Sequence, residues 1–139
     1  MKLSVKSDYA SRAVLGLARH YAGGAALRVE DLASEQGLPT NYLKQILIEL
    51  KAQGIVQSVR GKDGGYLLAR PPGQITLRDV LQAVHGAIFD SPALRDPDCP
   101  AALKRAWNKL QQATEAAADE ITFQQLLEES GDKEKMYYI

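Results

Sequence analysis

The chain has 139 residues, 45% hydrophobic and 24% charged, which suits a folded domain with an appended element. No apolar run approaches the ~20 residues of a membrane span, and Met1-Lys2-Leu3-Ser4-Val5-Lys6 has no apolar leader core behind it, so a cytoplasmic protein without a membrane partner is expected. Cys99 is the single cysteine, which excludes an internal disulfide framework, and the net charge of zero hides a basic front over residues 1–72 (ten Lys/Arg against six Asp/Glu) and an acidic rear (seven against eleven).

The first predicted helix covers about Asp8 to Ala22. Tyr9, Ala13, Leu17 and Tyr21 recur at helical spacing with Val14 and Ala18 beside them, and Gly23-Gly24 stops the pattern. A shorter helix follows from Val29 to Gln36, entered through Arg28 without a good capping side chain and left through Gly37, which suits a left-handed terminus. A third begins near Pro39 and turns Leu43, Ile46, Leu47 and Leu50 inward, leaving Asn41, Lys44 and Gln45 on other faces; Gly54 closes it. Short helices joined by tight glycine turns predict a helix-turn-helix.

Two β-prone runs come next, Ile55 to Val59 and Tyr66 to Ala69. Between them lies Arg60-Gly61-Lys62-Asp63-Gly64-Gly65, a hairpin signal because these residues accept positive φ cheaply. Thr76-Leu77-Arg78-Asp79 resembles a capping box opening a helix with Leu77, Val80, Leu81 and Val84 inward. Residues 86–100, rich in Pro and Asp, read as a loop. A long helix of roughly 30 Å spans about 100 to 120, with Leu103, Trp107, Leu110, Thr114 and Ala117 at heptad spacing. That seam either folds back on its own domain or pairs with a second copy. Thr122-Phe123-Gln124-Gln125 caps a short last helix, and the polar stretch from Gly131 reads as a tail in which Met136-Tyr137-Tyr138-Ile139 can dock.

The expected fold is therefore mainly α with a small β-hairpin: a winged helix-turn-helix domain (1–85), a loop (86–99), a long C-terminal dimerisation helix with a short capping helix (100–130), and a tail (131–139). Helix 39–53 suits a major groove. Asn41 and Gln45 can pair with adenine, and Lys44 can donate to guanine. Arg60 and Lys62 stand on a narrow glycine tip, where a cation can meet phosphate or enter the minor groove. The order of these elements predicts double-stranded DNA as partner and a homodimer on a palindromic site. The same folds also occur as protein-binding modules, and salt dependence separates the two. Nothing here has the spacing of a nucleophile–base pair, a metal triad or a P-loop, Gly64-Gly65 leading into a strand and not a helix, so no enzyme is expected. Cys99, close to a helix N-terminus, reads either as part of a solvated linker or as a reactive sensor.

Ser4-Val5-Lys6-Ser7-Asp8-Tyr9-Ala10, Leu32-Ala33-Ser34-Glu35-Gln36-Gly37, Tyr42-Leu43, Gly54-Ile55-Val56 and Arg60-Gly61-Lys62-Asp63-Gly64-Gly65-Tyr66-Leu67-Leu68 resemble the bacterial regulator family of IscR, NsrR and CymR. The resemblance reaches nearly to the chain's end, at Ile121-Thr122-Phe123, and implies a dimeric winged-helix regulator, repressor or activator, in which Tyr42, Lys44, Gln45 and Arg60 lie at the DNA; Lys62 and Gly64 of the wing tip are expected beside them. The iron–sulfur members carry three cysteines before the dimer helix and a further ligand. Here Cys99 stands alone, at the place of the last. A cluster needs four ligands, mostly thiolate; His85 or Asp90, Asp96 and Asp98 would have to complete the set. The expectation is a protein without a cofactor or metal, tuned by a small molecule, a partner protein or oxidation of Cys99.

Overall fold

In a computed structural model, residues 3–137 are described, with side chains to residue 131. Helix α1 (Val5–His20) is the central element, because small residues let its neighbours approach closely. Ser7, Ala10, Ala13, Val14, Gly16, Leu17 and Ala18 are all buried, against α2, α3, α4, α6 and the hairpin. Ser4 caps it, its hydroxyl accepting from the Ser7 amide at 3.1 Å. The helix thus starts three residues before the predicted Asp8, because the cap lies upstream of the apolar stripe.

Helices α2 (Val29–Gln36) and α3 (Thr40–Ala52) meet at a turn where Gly37 takes φ +64° and buried Leu38 donates its amide to Ala33. Leu43, Ile46, Leu47 and Leu50 of α3 join the core as their spacing predicts. Strands β1 (Val56–Val59) and β2 (Gly65–Leu68) form the antiparallel hairpin, with Val56 opposite Leu68 and Val59 opposite Gly65. A single bridge from Leu27 to Tyr66 adds the segment before α2 as a third rung.

The capping box on α4 (Leu77–His85) forms in full: Thr76 accepts from the Asp79 amide, and the Asp79 carboxylate accepts from the Thr76 amide at 3.0 Å. After residues 86–100, which contain one turn of 3-10 helix at Pro92–Arg95, comes α5 (Ala101–Glu120). Pro100 is its N-cap residue and not part of its first turn.

The chain then returns. Ile121 and Phe123 exchange backbone hydrogen bonds with Leu77 and Ile75, and Phe123 is fully buried in the same core as α1 and α3. Burying that ring removes enough apolar surface to contribute about 2–3 kcal/mol, so α6 (Phe123–Tyr137) anchors the far end of α5 to the winged domain. This last helix is longer than its predicted short form. Gly131 does not end it, since a glycine inside a helix costs only about 1 kcal/mol and Glu128, Glu129, Lys133, Glu134 and Lys135 around it are good helix formers. Residues 131–137 are therefore helical rather than an unstructured tail; Tyr138 and Ile139 lie outside the described residues. Among those described, no helix is long and apolar enough to cross a membrane.

Candidate nucleic-acid interface

Helix α3 buries one side and leaves the other open. Asn41, Tyr42, Lys44 and Gln45 are all exposed, with Ile48 one turn beyond them. No side chain caps the helix at Pro39, which leaves first-turn amides available to a phosphate at the helix N-terminus. Tyr42 is oriented by Tyr9 of α1, the rings meeting edge to face at 5.6 Å and 79°. The Arg12 guanidinium lies 5.9 Å from the centre of the Tyr9 ring and 3.0 Å from Asp8. Tyr9 and Arg12 thus extend the open face of α3 onto α1. The sequence places Tyr9 in an apolar stripe, and only the packing of α1 on α3 reveals its second contact.

The wing is a narrow turn over residues 60–64. Arg60 and Lys62 are exposed at its tip, while Gly64 is buried within it. The geometry requires both glycines of the pair: a Cβ on Gly64 would collide with the Val59 carbonyl, and one on Gly65 with the Leu27 carbonyl. Gly64 therefore contributes chiefly by letting the turn close. Arg28, the residue that fails to cap α2, donates from Nη2 to the Lys62 carbonyl at 2.5 Å and ties the tip to the body. Lys51 at the end of α3 donates to the Ser58 hydroxyl of β1 at 2.8 Å, linking helix and wing from the other side. Arg28 and Lys51 add cations flanking the wing, and neither was legible as such, because each depends on a contact between elements distant in sequence.

The predicted heptad positions divide by exposure. Leu103, Leu110 and Ala117 are exposed, whereas Trp107 and Thr114 are half-buried. Trp107 turns toward its own domain, beside His85 and residues 87–91. The exposed stripe reads Leu103, Ala106, Leu110, Ala113 and Ala117, itself at heptad spacing. On the opposite side Arg78 of α4 pairs with Glu115 at 3.4 Å.

The donors of the loop before α5 are scattered. Asp90 pairs with Arg95 at 3.1 Å, Asp96 accepts from the Asp98 amide at 2.9 Å, and the half-exposed Cys99 thiol lies 3.7 Å from the Pro100 carbonyl. Among the described residues no three His, Cys, Asp or Glu side chains converge as a metal site would require. This donor set, with one thiol, does not fit a four-ligand iron–sulfur cluster.

The sequence matches the family model Rrf2, described as an iron-dependent transcriptional regulator, over residues 3–129. A Mycobacterium tuberculosis protein named as an HTH-type transcriptional regulator is 35% identical over 127 residues, 88% of this chain and 78% of that protein. The solved structure of IscR from T. potens aligns with a TM-score of 0.78 at 32% identity, covering 94% of this chain and 88% of that one. CymR, the global cysteine regulator of B. subtilis, aligns with a TM-score of 0.80 at 26% identity, covering 92% and 97%.

Proposed function

Since the chain belongs to the Rrf2 family of transcriptional regulators, and is thus a DNA-binding regulator, we propose that it acts as a homodimeric repressor on a palindromic operator, without an iron–sulfur cluster. The observation that carries this reading is the open side of α3, where Asn41, Tyr42, Lys44 and Gln45 stand exposed next to the braced basic wing. The helix lies in the major groove with Asn41, Lys44 and Gln45 at base edges. Arg60 and Lys62 meet the adjacent minor groove or its phosphates.

The dimer forms along the Leu103–Leu110–Ala117 stripe of α5. Two large apolar side chains left 44% and 49% exposed on one helix face gain most by pairing with their own copies about a two-fold axis. That axis sets two recognition helices one DNA turn apart. The cluster-free reading is supported by the donor set, because a dimer supplies two thiols where four mostly thiolate ligands are needed.

Fluorescence anisotropy on duplex DNA tests the central statement. Affinity falls steeply with salt as counterions are released, and a palindrome selected from a random library outcompetes bulk duplex. Failure to bind any duplex at low salt would instead establish a protein-binding module. Iron analysis and visible absorbance of protein purified without oxygen test the rest: a colourless, iron-free dimer is expected, and about two irons per chain overturns the cluster-free reading.

A further inference from the structure

A half-open cleft of about 410 Å³, open to solvent at His85, Ala87 and Asp90, lies between the C-terminal end of α4, residues 87–91 and α5. His85, Ile88, Phe89, Asp90, Ser91 and Trp107 line it. Its volume falls within the range of small-molecule sites, and its lining combines two aromatic rings with a few polar groups, as such sites do. The charged group that reaches it beside the imidazole is a carboxylate. Among the described residues Asp90 pairs with Arg95, and the two side chains are 60% and 69% exposed, a solvated contact that exchanges readily. Aromatic faces beside a carboxylate suit an aromatic amine, whose ring packs on the aromatic side chains while its ammonium donates a charge-assisted hydrogen bond to the carboxylate.

We propose that this cavity is the signal-receiving site of the regulator and takes a small aromatic amine, its ring against Trp107 and Phe89 and its ammonium on Asp90, with Ser91 and His85 as further polar contacts. The position explains how occupancy reaches DNA. Helix α4 packs on α1 and α3 and so moves with the recognition helix, while α5, which packs on α4 in turn, carries the exposed stripe assigned to the dimer. A ligand bridging α4 and α5 biases the angle between these two bodies, and that angle sets the separation of the recognition helices across the two-fold axis. The regulatory half of this inference rests on the operator-binding reading; the binding half does not.

Trp107 is the only tryptophan in the chain and forms a wall of the cavity, so its emission reports occupancy directly. Phenethylamine titrated into the full-length protein without DNA should shift that emission saturably. Phenylacetate, with the same ring and the opposite charge, should act far more weakly. Asp90→Asn should raise the half-saturating concentration about tenfold through loss of the charge-assisted contact, and Phe89→Leu should raise it while its unfolding midpoint shows the fold retained. An unchanged emission with the amine, or an equal response to phenylacetate, overturns the site. In a second titration saturating amine should alter affinity for the selected operator at least severalfold, and binding without any such change overturns the regulatory role.

Discussion

The wing turn at residues 60–64 is tied to the body through Leu27 and Arg28, whereas the backbone bonds of residues 91–99 in the loop at 86–100 close within its own turns. In the wing, Gly64 and Gly65 allow contacts that any side chain would block, Leu27 bridges to Tyr66, and Arg28 clasps the Lys62 carbonyl. In the loop, the backbone bonds Leu94 to Ser91, Asp96 to Ala93 and Cys99 to Asp96 all span three residues, and Asp90–Arg95 is a surface pair. The first arrangement presents two cations in one fixed geometry before DNA arrives, which reduces the ordering cost of binding. The second borders the cavity between α4 and α5.

The sharpest way to break this contrast is a pair of glycine substitutions. Gly65→Ala forces a Cβ into the Leu27 backbone and should cost about 3 kcal/mol or more of stability. Gly86→Ala has open space and only its φ of +85° to oppose it, so about 1 kcal/mol is expected. Denaturant unfolding of both variants measures this, and equal losses would mean that the wing is no more constrained than the loop.

Next in size is the assembly face. Leu110→Glu should yield a monomer in sedimentation and weaken operator binding by about a hundredfold, the avidity of the second half-site being lost. Trp107→Phe, on the inward side of α5, should remain dimeric. A dimeric Leu110→Glu would place the interface elsewhere.

A smaller effect separates the cations. Arg60→Ala should reduce DNA affinity by about 1–3 kcal/mol if the wing contacts bases, or by less with a shallower salt slope if it meets phosphate. Arg95→Ala should leave DNA affinity unchanged and move stability by less than about 0.5 kcal/mol, as expected of an exposed pair. Anisotropy at several salt concentrations distinguishes them, and an Arg95 effect matching that of Arg60 would extend the DNA footprint to the loop.

Most elements were legible because their signals are local. Gly37 and Gly61 mark turns through their positive φ of +64° and +109°, Gly64 marks the wing through steric room and not through positive φ, and Thr76 and Asp79 cap α4 within a single turn. The apolar spacing of Leu43, Ile46, Leu47 and Leu50 made α3 one-sided, which in turn identified Asn41, Lys44 and Gln45 as available. Local readings were weakest at ends: Ser4 lies upstream of the stripe it caps, and Gly131 did not outweigh the helix formers around it.

What the sequence determined by itself, then, was the order of the elements, the open face of the recognition helix and the glycine-built wing, since each depends on neighbours within a turn or a hairpin. Tertiary structure alone decided which stripe of α5 faces solvent. That helix carries two apolar stripes at nearly the same period, and only α4, the 87–91 segment and the return of Phe123 into the core choose between them. The same long-range burial brought Tyr9 to Tyr42 and Arg28 to Lys62 and left the cavity beside Trp107. Periodicity specifies that a helix has a face, but the direction of that face follows from what the rest of the chain can bury against it.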